Sequence, residues 1–314
     1  MMTDPTQPTS AAAPPWPQTL IEPAALAARL DSALIVDVSF DLADPQAGRR
    51  MFEAAHLPGA QYLHLDDDLS GPKQGQPPRN GRHPLPERAA LARRLAALGL
   101  RRGQPVAVYD RQQGMFAARL WWLLRWLGHA PVALLDGGLQ AWQQAGLPIA
   151  SGSASPVAAA GDFAAGAALA GFVDKDDIAA NLRHRARLLL DARAPERFSG
   201  ANETIDPVAG HIPGAVNLPF KTLLTDDGRM LPQAQLRARL TAAAGRALQD
   251  GPLGASQIVA QCGSGVTACV LLLALEHAGL GGARLYPGSW SEYCVDARLP
   301  VATDARAEAG VGAA

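Results

Sequence analysis

A cysteine at the end of an apolar run, followed at once by glycines, is the part of this sequence best suited to chemistry. Ile258-Val259-Ala260-Gln261 leads into Cys262-Gly263-Ser264-Gly265-Val266-Thr267, after which Ala268 to His277 has helical character. A strand that delivers a thiol into a turn at a helix N-terminus places it where backbone N–H groups and the helix dipole favour an anion. The same forces favour the thiolate, the nucleophilic form of cysteine. Gly263 and Gly265 have no Cβ, so the backbone can curl round the sulfur and turn its donors inward. A buried cysteine in an intracellular protein also serves as a small apolar filler, and that use stays open for Cys262. A filler, however, has no need of two glycines in the turn behind it. Cys269 sits in a helix that is apolar on nearly every side (Val266, Ala268, Val270 to Leu275), which points to packing.

The elements that must position this turn can be read from the apolar pattern. Ala33 to Val38, Val106 to Tyr109 and Val132 to Leu135 predict buried strands, and Leu85 to Leu98 and Met115 to Leu127 predict helices. Pro86 takes a favoured first-turn position in the first of these helices. The second half repeats the scheme, with strands at Leu188 to Leu190 and Ile258 to Ala260 and helices at Leu236 to Leu248 and Val266 to His277. Such alternation predicts an α/β fold with mostly parallel sheets flanked by helices.

The halves also match in detail. Asp37 answers to Asp191, His56-Leu57-Pro58-Gly59-Ala60 to His211-Ile212-Pro213-Gly214-Ala215, Asp110 to Cys262, and Gly137 to Gly288, at offsets of 151 to 155 residues. Four matches in order with so little drift indicate a duplicated domain. Where the second copy has Cys262 the first has Asp110, read here as a strand-end carboxylate. A carboxylate cannot do thiolate chemistry, so one copy is expected to be catalytic and the other a scaffold. The expected boundaries are a disordered leader over 1–17, an inactive domain over 18–150, an Ala/Gly/Ser-rich linker over 151–171, a catalytic domain over 172–305 and a tail over 306–314.

Composition narrows the function. With 314 residues the chain has room for two cores, and 48% apolar with 18% charged residues is ordinary for a globular protein. A formal charge of −1 argues against nucleic acid or a polybasic membrane surface as partner. No apolar stretch reaches the length of a membrane span, and the Pro/Ala/Thr/Ser-rich start lacks the pattern of a secretion signal. Three cysteines with no zinc-site spacing favour a reduced compartment, taken here as the cytoplasm.

Taken together, the repeated His-Ile/Leu-Pro-Gly-Ala motif, the aspartate ending the first strand of each half, Leu135-Asp136-Gly137-Gly138 and Gly288-Ser289-Trp290 resemble the two-domain rhodanese-like sulfurtransferases. The resemblance runs from about Leu20 to Pro300. It implies tandem rhodanese-like domains and transfer of a sulfur atom through a persulfide on Cys262. The turn Cys262 to Thr267 is similar to the 3-mercaptopyruvate branch, whereas the thiosulfate branch carries basic residues after the cysteine. The family further implies a serine–histidine–aspartate relay, matched by Ser264, His83 and Asp66. It also implies substrate contacts from Arg197 and from the turn residues Gly263, Gly265, Val266 and Thr267. On the residues alone, His83 reads as a loop histidine, Asp66 to Asp68 as a solvated face, and Arg197 as a surface ion pair with Glu196. The sequence departs from the branch pattern in the loop after Arg197, where Asn202 to Pro207 lacks a second arginine. Arg193, Arg79 or Arg82 would then supply the second grip, or carboxylate binding is weaker.

The resemblance implies a small sulfur donor (3-mercaptopyruvate or thiosulfate), an acceptor such as thioredoxin, a small thiol or cyanide, and neither metal nor organic cofactor. A cysteine phosphatase, the main rival of another reaction class, needs an arginine as the sixth residue after the cysteine, and here that residue is Ala268. A non-catalytic sulfur-relay module is the remaining alternative.

Overall fold

The structure, a computed structural model, describes residues 15–245 and 252–303. The first half runs β1 (Leu20–Ile21), α1 (Pro23–Ala27), β2 (Leu34–Asp37), α2 (Ala47–Ala54), β3 (Gln61–Tyr62), α3 (Arg88–Ala97), β4 (Val106–Tyr109), α4 (Ala117–Trp126), β5 (Val132–Leu135) and α5 (Gly138–Gln144). The second half runs α6 (Lys175–His184), β6 (Leu188–Asp191), α7 (Pro195–Ser199), β7 (Val216–Asn217), α8 (Gln233–Ala244), α9 (Pro252–Ala255), β8 (Ile258–Gln261), α10 (Ala268–His277), β9 (Arg284–Leu285) and α11 (Ser289–Tyr293).

Every strand pair is parallel, and each half forms its own sheet, in the orders β1-β5-β4-β2-β3 and β7-β6-β8-β9. The long central strands β2, β4 and β8 are buried throughout, which is why they read as unbroken apolar runs. The register matches the duplication: Asp37 lies opposite Tyr109 as Asp191 lies opposite Gln261. The repeated histidines do the same work in both halves. His56 stacks on Phe52 and its Nδ1 lies 2.8 Å from the Phe52 carbonyl; His211 stacks on Phe198 with the corresponding contact at 2.9 Å. They are packing residues that lock the loop ahead of β3 and β7.

Several boundaries differ from expectation. The first predicted helix begins at Arg88, not Leu85, because Leu85 precedes Pro86 and is driven out of the helical region. The helix after Cys262 begins at Ala268, which leaves Val266 and Thr267 in the turn. The helix predicted over Leu236 to Leu248 is shifted: it begins at Gln233 behind Pro232 and ends at Ala244, capped by Gly245, and residues 246–248 lie outside those described. Trp16 packs on the core of the first half, while the leader ahead of residue 15 and the predicted tail lie outside the described residues. The Ala/Gly/Ser-rich stretch lies across the first half: Phe163 is buried and Gly161 N donates to the Ala96 carbonyl at 2.7 Å.

One hydrophobic cluster runs through both halves, beside a smaller cluster in each. Helices α4 and α10, which follow the two equivalent turns, pack on each other, and nearly all their residues are buried. Trp121, Trp122 and Trp126 of α4 belong to this shared cluster, as does Cys269 of α10. Burial holds the Cys269 thiol up at about 12 and Cys294 at about 11, so both remain neutral fillers.

Candidate active site

Ligands of open parallel sheets bind beyond the carboxyl ends of the strands. Cys262 lies there, one residue past β8, 2% exposed. Its N–H donates to Ser289 Oγ at 3.1 Å and its carbonyl accepts from Trp290 N at 3.0 Å, so the start of the turn is fixed by α11. Gly265 takes a φ of +73°, and a Cβ there would run into the Pro287 carbonyl. Only glycine fits that position.

The equivalent turn in the first half shows what such a loop is built to hold. Asp110 is fully buried, and its carboxylate accepts hydrogen bonds from four backbone amides: Gln112 and Gly114 on Oδ1, Phe116 and Ala117 on Oδ2, at 2.8–2.9 Å. The reading of Asp110 as an ordinary strand-end carboxylate is therefore corrected, since its carboxyl group fills its own loop and accepts from each of those amides, while burial pushes its pKa up. Gln113, one of few non-glycine residues with positive φ (60°), occupies the position of Gly265, so the two loops share a backbone path.

His83 comes from the first half. Its loop is pressed against the second: Arg82 N donates to Ser291 Oγ at 3.0 Å, and Gly81, at φ +83°, packs on the backbone of Gly288. His83 is 3% exposed, which overturns its reading as a solvent-facing loop residue. Its Nδ1 lies 2.8 Å from Ser264 Oγ, and its Nε2 lies 3.5 Å from Asp66 Oδ1. Burial, with the charges of Arg82, Arg119 and Lys73, holds the imidazole well below its ordinary pKa. A neutral ring with its proton on Nε2 accepts the Ser264 hydroxyl at Nδ1, while Nε2 itself has no hydrogen-bond partner and Asp66 stands beside it at ion-pair distance only. Of the acidic triplet, Asp66 alone faces His83. It also meets Lys73 at 3.1 Å, while Asp67 and Asp68 engage His64.

Arg197 lies at the mouth, but its partner is not Glu196. Its Nε donates to both Glu203 oxygens, at 3.1 and 3.0 Å, and Nη2 donates to Asp206 Oδ2 at 2.8 Å. The other Asp206 oxygen accepts from Arg82 Nη1 at 2.6 Å. Asp206 thus holds one arginine from each half, and both lean over Gly263, whose Cβ would stand 3.1 Å from Arg82 Nη2 and 3.3 Å from Arg197 Nη1. Arg193 is spent elsewhere, on Asp191, the Gly210 carbonyl and the Trp290 ring. Glu203 and Asp206 escaped the sequence reading because nothing local marks a loop carboxylate as buried.

These groups line a cavity of about 260 Å³ between the halves, reached by Arg82, His83, Arg197, Cys262, Ser264 and Thr267, with Leu42 and Ile205 at its rim. It joins a protected sulfur, a cationic pair and a neutral hydroxyl–imidazole couple. Among the described residues, no group of three or more His, Cys, Asp or Glu is placed to hold a metal ion, and no helix is long and apolar enough to cross a membrane.

Comparison with known proteins gives the same architecture. The model of the "Rhodanese-like domain" matches twice, at residues 22–145 and 174–296. The chain is 48% identical over 282 residues to a Pseudomonas aeruginosa protein named "Probable 3-mercaptopyruvate sulfurtransferase", covering 88% of this chain and 95% of that one. It is 35% identical over 276 residues to human 3-mercaptopyruvate sulfurtransferase, covering 84% and 86%. Among solved structures, the 3-mercaptopyruvate sulfurtransferase from Leishmania major aligns with a TM-score of 0.78 at 31% identity, covering 90% of this chain and 76% of that one.

Proposed function

The chain belongs to the rhodanese family, as a protein of two rhodanese-like domains, and from that premise we propose that it moves sulfur from 3-mercaptopyruvate through a Cys262 persulfide to a thiol or cyanide. The observation that carries this reading is the Ser264–His83 contact beside Cys262, because it offers a route for a proton that only this kind of donor requires.

The first step balances as follows. The Cys262 thiolate attacks the donor's thiol sulfur, the carbon–sulfur bond breaks, and its electron pair leaves as pyruvate enolate. The proton released from the transferred sulfur ends on the enolate carbon, giving pyruvate and an anionic persulfide. Ser264 Oγ, backed by the neutral His83 and by Asp66, takes that proton and returns it, as general acid–base catalysis requires. With thiosulfate the leaving group is sulfite, a stable anion that needs no proton. In the second step cyanide or a thiolate attacks the outer sulfur and Cys262 leaves as thiolate.

The donor carboxylate fits between Arg82 and Arg197, whose Nη atoms over Gly263 offer two charge-assisted donors. Arg82 fills the role of the arginine missing from the 202–207 loop. Glu203 and Asp206 offset much of the positive charge, which suits one carboxylate better than the dianion thiosulfate. The persulfide sits at the position where the equivalent loop donates its amides to the Asp110 oxygens, and the turn amides stabilise it in the same way. By this reading the second domain is catalytic and the first is its scaffold. The three free cysteines suit a reducing cytoplasm, where thiol acceptors such as thioredoxin are at hand.

The test is intact-protein mass spectrometry after incubation with 3-mercaptopyruvate. One added sulfur on the wild type, absent from C262S, is expected together with loss of turnover in that variant. Turnover retained by C262S would refute the mechanism.

A further inference from the structure

Arg119 of α4 is fully buried, yet among the described residues no carboxylate pairs with it. A guanidinium taken out of water without a counter-ion is costly, so what it touches matters. Nη1 donates to the Gly265 carbonyl at 3.1 Å and Nη2 to the His83 carbonyl at 3.1 Å. Gly265 follows Ser264 directly, and His83 is the residue whose ring accepts Ser264. One rigid planar group therefore holds the main chains on both sides of the Ser264–His83 contact, one from each half. The titratable groups that its charge acts on are Cys269, a neutral filler, Cys262 and the His83 ring itself. At the offset that relates Asp110 to Cys262, the counterpart of Arg119 is Leu271, so this clamp exists on one side of the duplicated fold only.

We propose that Arg119 is a positioning residue for sulfur transfer: it fixes the Ser264–His83 pair in register across the two domains, so that the proton-moving couple exists only when both halves are docked. This rests on the relay read above. The consequence is specific to the donor. Loss of the clamp impairs the reaction that moves a proton and spares the one that does not.

The experiment measures kcat with 3-mercaptopyruvate and with thiosulfate, cyanide being the acceptor, for the wild type, S264A, R119M, S264A/R119M and R125M. Arg125 is the control, because it comes from the same helix and bridges the halves through Glu276 at 2.7 Å, remote from the cleft. R119M is expected to lose tenfold or more with 3-mercaptopyruvate and less than twofold with thiosulfate, and to add little to S264A, since residues acting through one contact are not additive. R125M is expected to show no donor-dependent split. Equal losses of R119M on both donors, or full additivity with S264A, would overturn the proposal. Should R119M fail to fold, R119K, which reaches one carbonyl instead of two, must show the same split in smaller measure; its absence overturns the clamp. If S264A itself shows no split, the relay falls and the clamp's function with it. A split in S264A that R119 variants lack overturns the clamp alone.

Discussion

Ser264 Oγ and His83 Nδ1 lie 2.8 Å apart although 181 residues separate them, one side chain coming from each half of the molecule. The contact joins a hydroxyl donor to an imidazole that must be neutral to accept it. Burial supplies that neutrality, and the stability of the protein should register the cost.

His83 is held well below the ordinary histidine pKa in the folded chain, whereas in the unfolded chain it titrates near 6.5. Below about pH 6.5 the unfolded state therefore takes up a proton that the native state refuses, and stability falls as pH falls. H83N, which cannot charge, lacks this contribution. Thermal melts at pH 7.5 and pH 5 should show the wild type losing more stability than H83N, by up to ~1.4 kcal/mol per pH unit in that window. Parallel behaviour of the two proteins would contradict a buried neutral imidazole.

Arg82 and Arg197 share Asp206 and overhang Gly263. Removing either guanidinium as R82M or R197M should raise KM for 3-mercaptopyruvate about 10- to 100-fold, the worth of one charge-assisted hydrogen bond, with a smaller effect on kcat. D206N should weaken both together. Steady-state kinetics decide it, and an unchanged KM in R82M would remove this arginine from the donor's site.

Asp110 satisfies four buried amides. D110A leaves those donors unmet and is expected to destabilise the protein by about 3 kcal/mol or more, while D110N, which keeps one acceptor oxygen, costs less. Urea unfolding measures both. A loss below about 1 kcal/mol in D110A would mean that water replaces the carboxylate freely.

Asp136 directly follows β5, and its Oδ1 accepts from Met230 N of the other half at 2.8 Å. Burial, chiefly, pushes its pKa up to about 6, and Glu22 and Asp227 push the same way. Between about pH 4 and pH 6 the native state holds a proton that the unfolded state has lost, so stability falls as pH rises through this window. D136N keeps an acceptor for Met230 without the charge. It should be more stable than the wild type by about 1–2 kcal/mol at pH 7, after allowance for partial solvation, and should lose that advantage at pH 4. Melting curves at the two pH values test this, and an equal difference at both would exclude Asp136 as the source.

Much of this molecule is written locally. Buried parallel strands are continuous apolar runs, so β4 and β5 lie at the predicted residues and β2 and β8 within one or two residues of them. The Cys262 turn declares itself because a backbone path with positive φ calls for glycine at Gly265. Duplication made the family legible, since the motif from His56 to Ala60 recurs from His211 to Ala215. The helix starts were read less well, because proline at Pro86 acts on the residue before it as well as on itself.

What the amino-acid order determined, then, is two α/β units of one pattern and a cysteine poised in a glycine turn, since periodicity and backbone conformation depend on near neighbours. Only the tertiary structure decided how charges are shared across the cleft. It gave Arg82 and Arg197 a common carboxylate in Asp206, buried Glu203 beside them, and set Arg119 between the carbonyls of His83 and Gly265. Ion pairs and hydrogen bonds at such irregular separations, from 6 positions for Arg197 and Glu203 to 146 for Arg119 and Gly265, leave no periodic trace in the chain. Those that cross between the halves, Arg82 to Asp206 and Arg119 to Gly265, exist because α4 and α10 bury their apolar faces on each other, and that packing brings the two loops within reach.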